Sequence, residues 1–256
     1  MKNKNIVNVE ELQNAIDSSM NIIEELCPKD NVLYGIKPRD TYLRKDERSF
    51  SMFTACEILW AIASTGIYSK TFYLQMELLS LVNKEIEDEY LENNDRIFET
   101  AFLMLATTSA GQQIGSDAYT KIITTLIKAQ KQDGSWGSYK DGNSDLRATA
   151  LCTLGLIYGI NYVGKSDIEP YSKMEMVVVE SCKWISNKFT DEGYCKRIVD
   201  SFKHNSRVEE VPGIELTSWC TLALVNALIT IKGEPYSFNR EQIEKKLKRQ
   251  FLGLCH

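Results

Sequence analysis

A short phrase recurs four times along the chain: Thr54-Ala55-Cys56, Thr100-Ala101-Phe102, Thr149-Ala150-Leu151 and Thr217-Ser218-Trp219. Each copy opens a strongly apolar stretch of roughly four helical turns. The last two copies agree closely, as Thr149-Ala150-Leu151-Cys152-Thr153-Leu154-Gly155-Leu156 against Thr217-Ser218-Trp219-Cys220-Thr221-Leu222-Ala223-Leu224. The threonines stand 46, 49 and 68 residues apart, which is the length of a helical hairpin repeat.

Helices of a second kind lie between these stretches. Leu12, Ile16, Met20 and Ile23 share one face of the first, Tyr119, Ile122, Ile123, Leu126 and Ile127 one face of another, and Ile243, Leu247 and Phe251 one face of the last. A stripe at this spacing with charges opposite marks a helix that covers a core and meets water, whereas a helix apolar on every side has to be enclosed. The alternation predicts an inner layer of four helices wrapped by about five outer ones, a curved all-α array. No segment shows the period-2 alternation and β-branched enrichment of a strand. No linker interrupts the pattern, so residues 1–256 read as one domain.

One stretch is more specific. Gln130-Lys131-Gln132-Asp133-Gly134-Ser135-Trp136-Gly137 is followed by Asp145-Leu146-Arg147-Ala148-Thr149-Ala150-Leu151-Cys152. Asp133-Gly134 supplies a turn of positive φ at a helix end, Trp136 is placed to stack over the junction, and Asp145 or Ser144 can cap the next helix. The first half resembles the "QW" repeat of squalene and terpene cyclases, Q-x-x-[DG]-G-x-W. The whole stretch is similar to repeats of protein prenyltransferase β subunits. Asp191-Glu192-Gly193-Tyr194 and Leu33-Tyr34-Gly35 stand as degenerate copies of the turn. The resemblance implies an α/α toroid, its inner helices surrounding a cavity. That family toroid usually has about six hairpins, so four or five imply an incomplete ring, or one closed by an oligomeric partner or second chain.

The resemblance also sets out which catalytic residues to seek. A class II terpene cyclase carries D-x-D-D-T-A at the start of an inner helix, where a carboxylic acid held neutral protonates an alkene. Aligned on the Thr-Ala pair, the second repeat has Arg96, Phe98 and Glu99, the third Asp145, Arg147 and Ala148, and the fourth Gly213 and Glu215. Glu215 alone resembles the single-acid arrangement, with Asp145 as a supporting polar group. First-turn acids favoured by the helix dipole are the plainer reading of Glu215 and Glu99. The resemblance further implies that the inner-helix N-termini share one end, where Glu99, Asp145, Arg147 and Glu215 converge. Asp145 and Arg147 can be an ion pair, or Arg147 can face the cavity.

A protein prenyltransferase needs zinc held by Asp, Cys and His. The chain has two histidines, His204 in a charged stretch and His256 at the last position, and Cys195 lacks the D-x-C pairing. No metal or other cofactor is expected, except Mg²⁺ should an isoprenoid diphosphate bind. Lys196-Arg197 and Lys203-His204-Arg207 can supply positive charge to such a group, or form a solvated loop. Trp60, Phe102, Tyr158 and Trp219 lie on the inner helices and can line an isoprenoid pocket or serve as core. No G-x-S-x-G, phosphate-binding Gly loop or H-E-x-x-H is present.

The 68-residue spacing places about twenty extra residues before the fourth inner helix, read as a long polar loop from Thr190 to Gly213 that serves as a lid or partner-binding element. The net charge of −5 disfavours nucleic acid as a partner. Seven cysteines without a C-x-x-C pair point to the reducing cytosol, with Cys56, Cys152, Cys182 and Cys220 as small hydrophobes. Met1 to Glu11 has no signal-peptide core, and Ile214 to Ile231 is too polar for a membrane span. Two functions remain open. One is a divergent, non-catalytic toroid that binds a hydrophobic small molecule or a protein partner, favoured because neither family's catalytic set is complete. The other is a small terpene cyclase with Glu215 as proton donor.

Overall fold

The computed structural model describes residues 52–65, 95–111, 116–164, 167–200, 208–232 and 240–253, with scattered positions between 14 and 80. Its helices are α1 (Met52–Thr65), α2 (Ile97–Ser109), α3 (Ser116–Ala129), α4 (Leu146–Val163), α5 (Met174–Ser186), α6 (Ile214–Thr230) and α7 (Arg240–Gly253). A 3-10 turn at Tyr171–Lys173 precedes α5, and strands β1 (Lys196–Asp200) and β2 (Val208–Pro212) precede α6. The helix expected on Leu12, Ile16, Met20 and Ile23 and the turn at Leu33-Tyr34-Gly35 lie outside the described residues.

Two kinds of helix are present, as the alternation predicts. In α2, ten of thirteen residues are buried, and in α4 twelve of eighteen. These enclosed helices pack in sequence, α1 on α2, α2 on α4 and α4 on α6. Small residues let α2 and α4 approach closely: a Cβ on Gly155 would stand 2.7 Å from the Ala101 carbonyl oxygen. The others bury one face. Tyr119, Ile122, Ile123 and Leu126 of α3 are buried, as are Val177, Val178, Cys182 and Ile185 of α5 and Ile243 and Leu247 of α7. α3 packs on α2 and α5, α5 on α4 and α6, and α7 on α6. The chain is predominantly helical. Among the described residues α4 alone is long and apolar enough to cross a membrane, and 67% of it is buried inside the protein.

The Asp133–Trp136 turn shows why its residues are required. Gly134 has φ 87°, and a Cβ there would lie 2.6 Å from the Glu180 carbonyl oxygen. The Asp133 carboxylate accepts from the Ser135 hydroxyl (2.6 Å), the Ser135 N–H (3.0 Å) and the Trp184 indole N–H (3.0 Å). Gln130 Nε2 donates to the carbonyls of Gly134 (3.1 Å) and Val177 (2.9 Å), tying the end of α3 to α5. Trp136 is fully buried, its indole N–H donating to the Leu126 carbonyl at 2.7 Å. Asp145, not Ser144, caps α4, accepting from the Ala148 N–H at 2.7 Å. Ser144 instead donates its hydroxyl to the Ser135 hydroxyl oxygen, 2.7 Å away.

The backbone of the same turn is rebuilt before α6. Lys131 N–H to Ser135 O (2.9 Å) becomes Thr190 N–H to Tyr194 O (2.9 Å), and Gly134 N–H to Lys131 O becomes Gly193 N–H to Thr190 O. Asp145 N–H to Trp136 O (2.8 Å) becomes Gly213 N–H to Cys195 O (2.8 Å). The repeated threonine closes each unit: its hydroxyl oxygen accepts from Trp136 N–H at 3.0 Å in one case and from Cys195 N–H at 2.9 Å in the other. Gly193 has φ 89°, matching Gly134.

The polar segment read as a loop contains a ribbon instead. β1 and β2 pair antiparallel, Lys196 opposite Pro212 and Asp200 opposite Val208. The sequence signal was weak because Lys-Arg-Ile-Val-Asp and Val-Glu-Glu-Val-Pro carry charges and short apolar runs, so backbone pairing defines the strands. The ribbon also accounts for only part of the long spacing. The nine-residue step from Trp136 to Asp145 becomes eighteen from Cys195 to Gly213. The rest falls earlier, where α4 runs 18 residues against 13 in α2 and a longer link leads to α5.

Candidate functional site

The N-terminal ends of α1, α2, α4 and α6 gather at one end of the molecule. Arg147 Nε on α4 lies 3.5 Å from Glu215 Oε1 on α6. Glu57 on α1 is close enough to feel both: its half-buried carboxyl is raised above its ordinary value by burial first, lowered in part by the Arg147 guanidinium and raised again by Glu215. Burial, then the neighbouring charges of Glu99 and Glu57, push the Cys56 thiol far up. Glu99 is nearly buried and receives Arg96 Nη1 at 2.8 Å.

Beneath the charged groups lies an aromatic layer. The Trp60 and Trp219 ring centroids are 5.5 Å apart, and Phe102 sits edge-on to both at 5.8 and 6.2 Å. Phe102 is buried, while the two tryptophans keep part of their surface exposed. The register between the layers follows from helix periodicity, because side chains three or four residues apart share a face. Glu57 precedes Trp60 by three residues, Glu99 precedes Phe102 by three, and Glu215 precedes Trp219 by four. Three acids thus stand one turn above three rings, with Arg147 reaching in from the fourth helix.

The Trp60 indole N–H at this end is buried without a hydrogen-bond acceptor among the described residues, while Arg147 Nε has only the ion pair with Glu215 at 3.5 Å. An unmatched buried donor costs about 1–3 kcal/mol, so the Trp60 N–H favours an acceptor atom. No group of three His, Cys, Asp or Glu side chains among the described residues is arranged to hold a metal ion.

The residues singled out from the sequence separate into three sets. Glu99, Arg147, Glu215, Trp60, Phe102 and Trp219 come together as above. Asp145 stands at the same end but turns its carboxylate onto its own helix as the cap, and no Asp145–Arg147 ion pair occurs among the described residues; Arg147 turns to Glu215 instead. Tyr158 packs on the core further along α4 and shares no ring contact with the aromatic layer among the described residues. Lys196 and Arg197 lie on β1, in the ribbon that enters α6 through Gly213. Lys203, His204 and Arg207 lie outside the described residues.

Glu57 was missed in the sequence reading. Its signal was a lone acid within Met-Phe-Thr-Ala-Cys-Glu-Ile-Leu-Trp, three residues before an inner-helix tryptophan. A proton donor to an alkene needs apolar enclosure, and here Glu57 is the more enclosed acid, since the Glu215 side chain is 60% exposed. Compared with known proteins, the chain matches no protein-family model, no curated protein and no solved structure.

Proposed function

We propose that the chain is a divergent α/α toroid, of the kind seen in protein prenyltransferases and terpene cyclases, that binds a hydrophobic, isoprenoid-like molecule over the Trp60–Phe102–Trp219 layer. The observation that carries this reading is the register of acids over rings at the gathered helix ends. Partly exposed tryptophan faces offer apolar area, and burial of such area is worth about 25 cal/mol per Å². The unmatched Trp60 indole N–H suits a ligand with an acceptor at one end. Three carboxylates against Arg147 and Arg96 disfavour a diphosphate and favour a neutral head, an alcohol, ether or carbonyl. Mg²⁺ would then have no role.

Native mass spectrometry with farnesol, squalene and farnesyl diphosphate with Mg²⁺ tests the reading. Retention of farnesol over the diphosphate is expected, with Trp219→Ala losing about tenfold in affinity, or ~1.4 kcal/mol. Equal, weak retention of all three in wild type and variant would remove the ligand site and leave a protein-binding module. Catalysis is the second reading, with Glu215, in the motif position, or the more enclosed Glu57 as donor. Turnover of squalene that is abolished by Glu215→Gln while the fold is kept would establish it.

A further inference from the structure

The two repeated turns share their backbone but carry different side chains at the position of Trp136. Where the turn before α4 places Trp136, the turn before α6 places Cys195; where α4 carries Cys152, α6 carries Cys220. Trp136 fills its pocket, fully buried and anchored through its indole N–H. In the later repeat the backbone is held in the same way, Cys195 N–H on Thr217 Oγ1 and Gly213 N–H on Cys195 O. The bulky ring is replaced by a thiol, and that thiol meets a second one. Cys220 lies three residues beyond Thr217 on the same face of α6, one turn along from the hydroxyl that receives Cys195 N–H at 2.9 Å, which sets the two cysteines side by side. Both are free and fully buried.

We propose that Cys195 and Cys220 are a reversible dithiol–disulfide pair, oxidised by hydrogen peroxide or an organic hydroperoxide, whose closure locks the base of the β1–β2 ribbon onto α6. This inference is independent of the ligand reading. The pair is polarised for the chemistry. The hydrogen bond with Cys220, then one with Thr217 and the charge of Lys246, hold the Cys195 thiol below its ordinary value, whereas the Cys220 thiol is pushed up. Among the other described cysteines, Cys56, Cys152 and Cys182 are all pushed up by burial, which lowers their thiolate fraction.

The Cys195 thiolate sulfur attacks one peroxide oxygen; the S–O bond forms, the O–O bond breaks, and the departing hydroxide takes the proton released by Cys195 to become water. The Cys220 sulfur then attacks the sulfenic sulfur of Cys195, forming S–S and breaking S–O. The second hydroxide leaves as water with the proton from Cys220. The two thiols lose two electrons and the peroxide gains them.

The native full-length protein is treated with dilute hydrogen peroxide, quenched with catalase, then denatured, alkylated and digested. The expected product is one dithiothreitol-reversible cross-link joining the Cys195 and Cys220 peptides, two hydrogens lighter, with Cys56, Cys152 and Cys182 still alkylated. In Cys220→Ser, dimedone should trap sulfenic acid on Cys195 roughly tenfold more than in wild type. Full alkylation of both residues, or a cross-link from either to a different cysteine, would overturn the pairing. The wild-type map decides the matter even where the variant does not fold.

Discussion

Gly134 and Gly111 offer a controlled pair at the scale of single residues. Both have positive φ, 87° and 70°, but a Cβ on Gly134 meets the Glu180 carbonyl at 2.6 Å and one on Gly111 meets nothing within 4 Å. Left-handed backbone costs a non-glycine residue about 1–2 kcal/mol. Gly111→Ala should show only that, whereas Gly134→Ala should lose more, because the obstacle is backbone that cannot swing aside. Equal midpoints for the two variants in urea would show that the α3–α5 contact is not rigid. Glu57 gives a second residue-scale test, through pH. Its folded carboxyl binds its proton more tightly than the unfolded one, so the folded state loses relative stability as pH rises through and above the ordinary carboxylate range. Glu57→Gln should flatten that decline and leave the stability at lower pH little changed, as read by denaturant midpoints across pH. A decline unchanged in the variant would assign it to other carboxylates. Neither effect was legible in the sequence with its partner: the glycine could be read as a turn, but Glu180, 46 residues away, could not.

The repeating unit at the scale of elements is a turn, a threonine and an enclosed helix. Thr149 accepts from Trp136 N–H and donates to the Asp145 carbonyl at 2.6 Å, all in a buried setting. Thr217 accepts from Cys195 N–H in the equivalent place. Replacing a hydroxyl with a methyl leaves a buried N–H without an acceptor, a loss of about 1–3 kcal/mol. Thr149→Val and Thr217→Val should each fall in that range, with Trp136→Ala larger at about 3–5 kcal/mol for the cavity. Calorimetry of the three proteins checks the order; a silent Thr217→Val would mean that the second turn is held by other bonds. This level was the most legible in the sequence, because the Thr-Ala phrase and Asp-Gly-Ser-Trp turn report directly on local backbone needs. The β1–β2 ribbon was not, since its pairing joins residues whose side chains carry no alternation.

The order of enclosed and one-faced helices was legible for the whole molecule from periodicity alone, but which side chains meet was not. Trp60 and Trp219 are 159 positions apart, and only packing of α1, α2, α4 and α6 brings their rings to 5.5 Å. Arg147 and Glu215 were expected at one end, yet their pairing with each other depended on Asp145 being engaged as a cap. The same view separates scaffold from appendage. Cys195 and Gly213 are joined by the bond that joins Trp136 and Asp145, so the eight residues 137–144 span a gap equivalent to the seventeen residues 196–212. Grafting 137–144 in place of 196–212 should therefore preserve the helical core. The thermal midpoint should stay within a few degrees of wild type, a change of about 1–2 kcal/mol for a chain of this size. Farnesol retention should persist, because the acids and rings belong to the helices. A graft that melts without cooperativity would show that the ribbon is part of the core. A stable graft that no longer retains ligand would place the ribbon over the aromatic layer and make it a wall of the site.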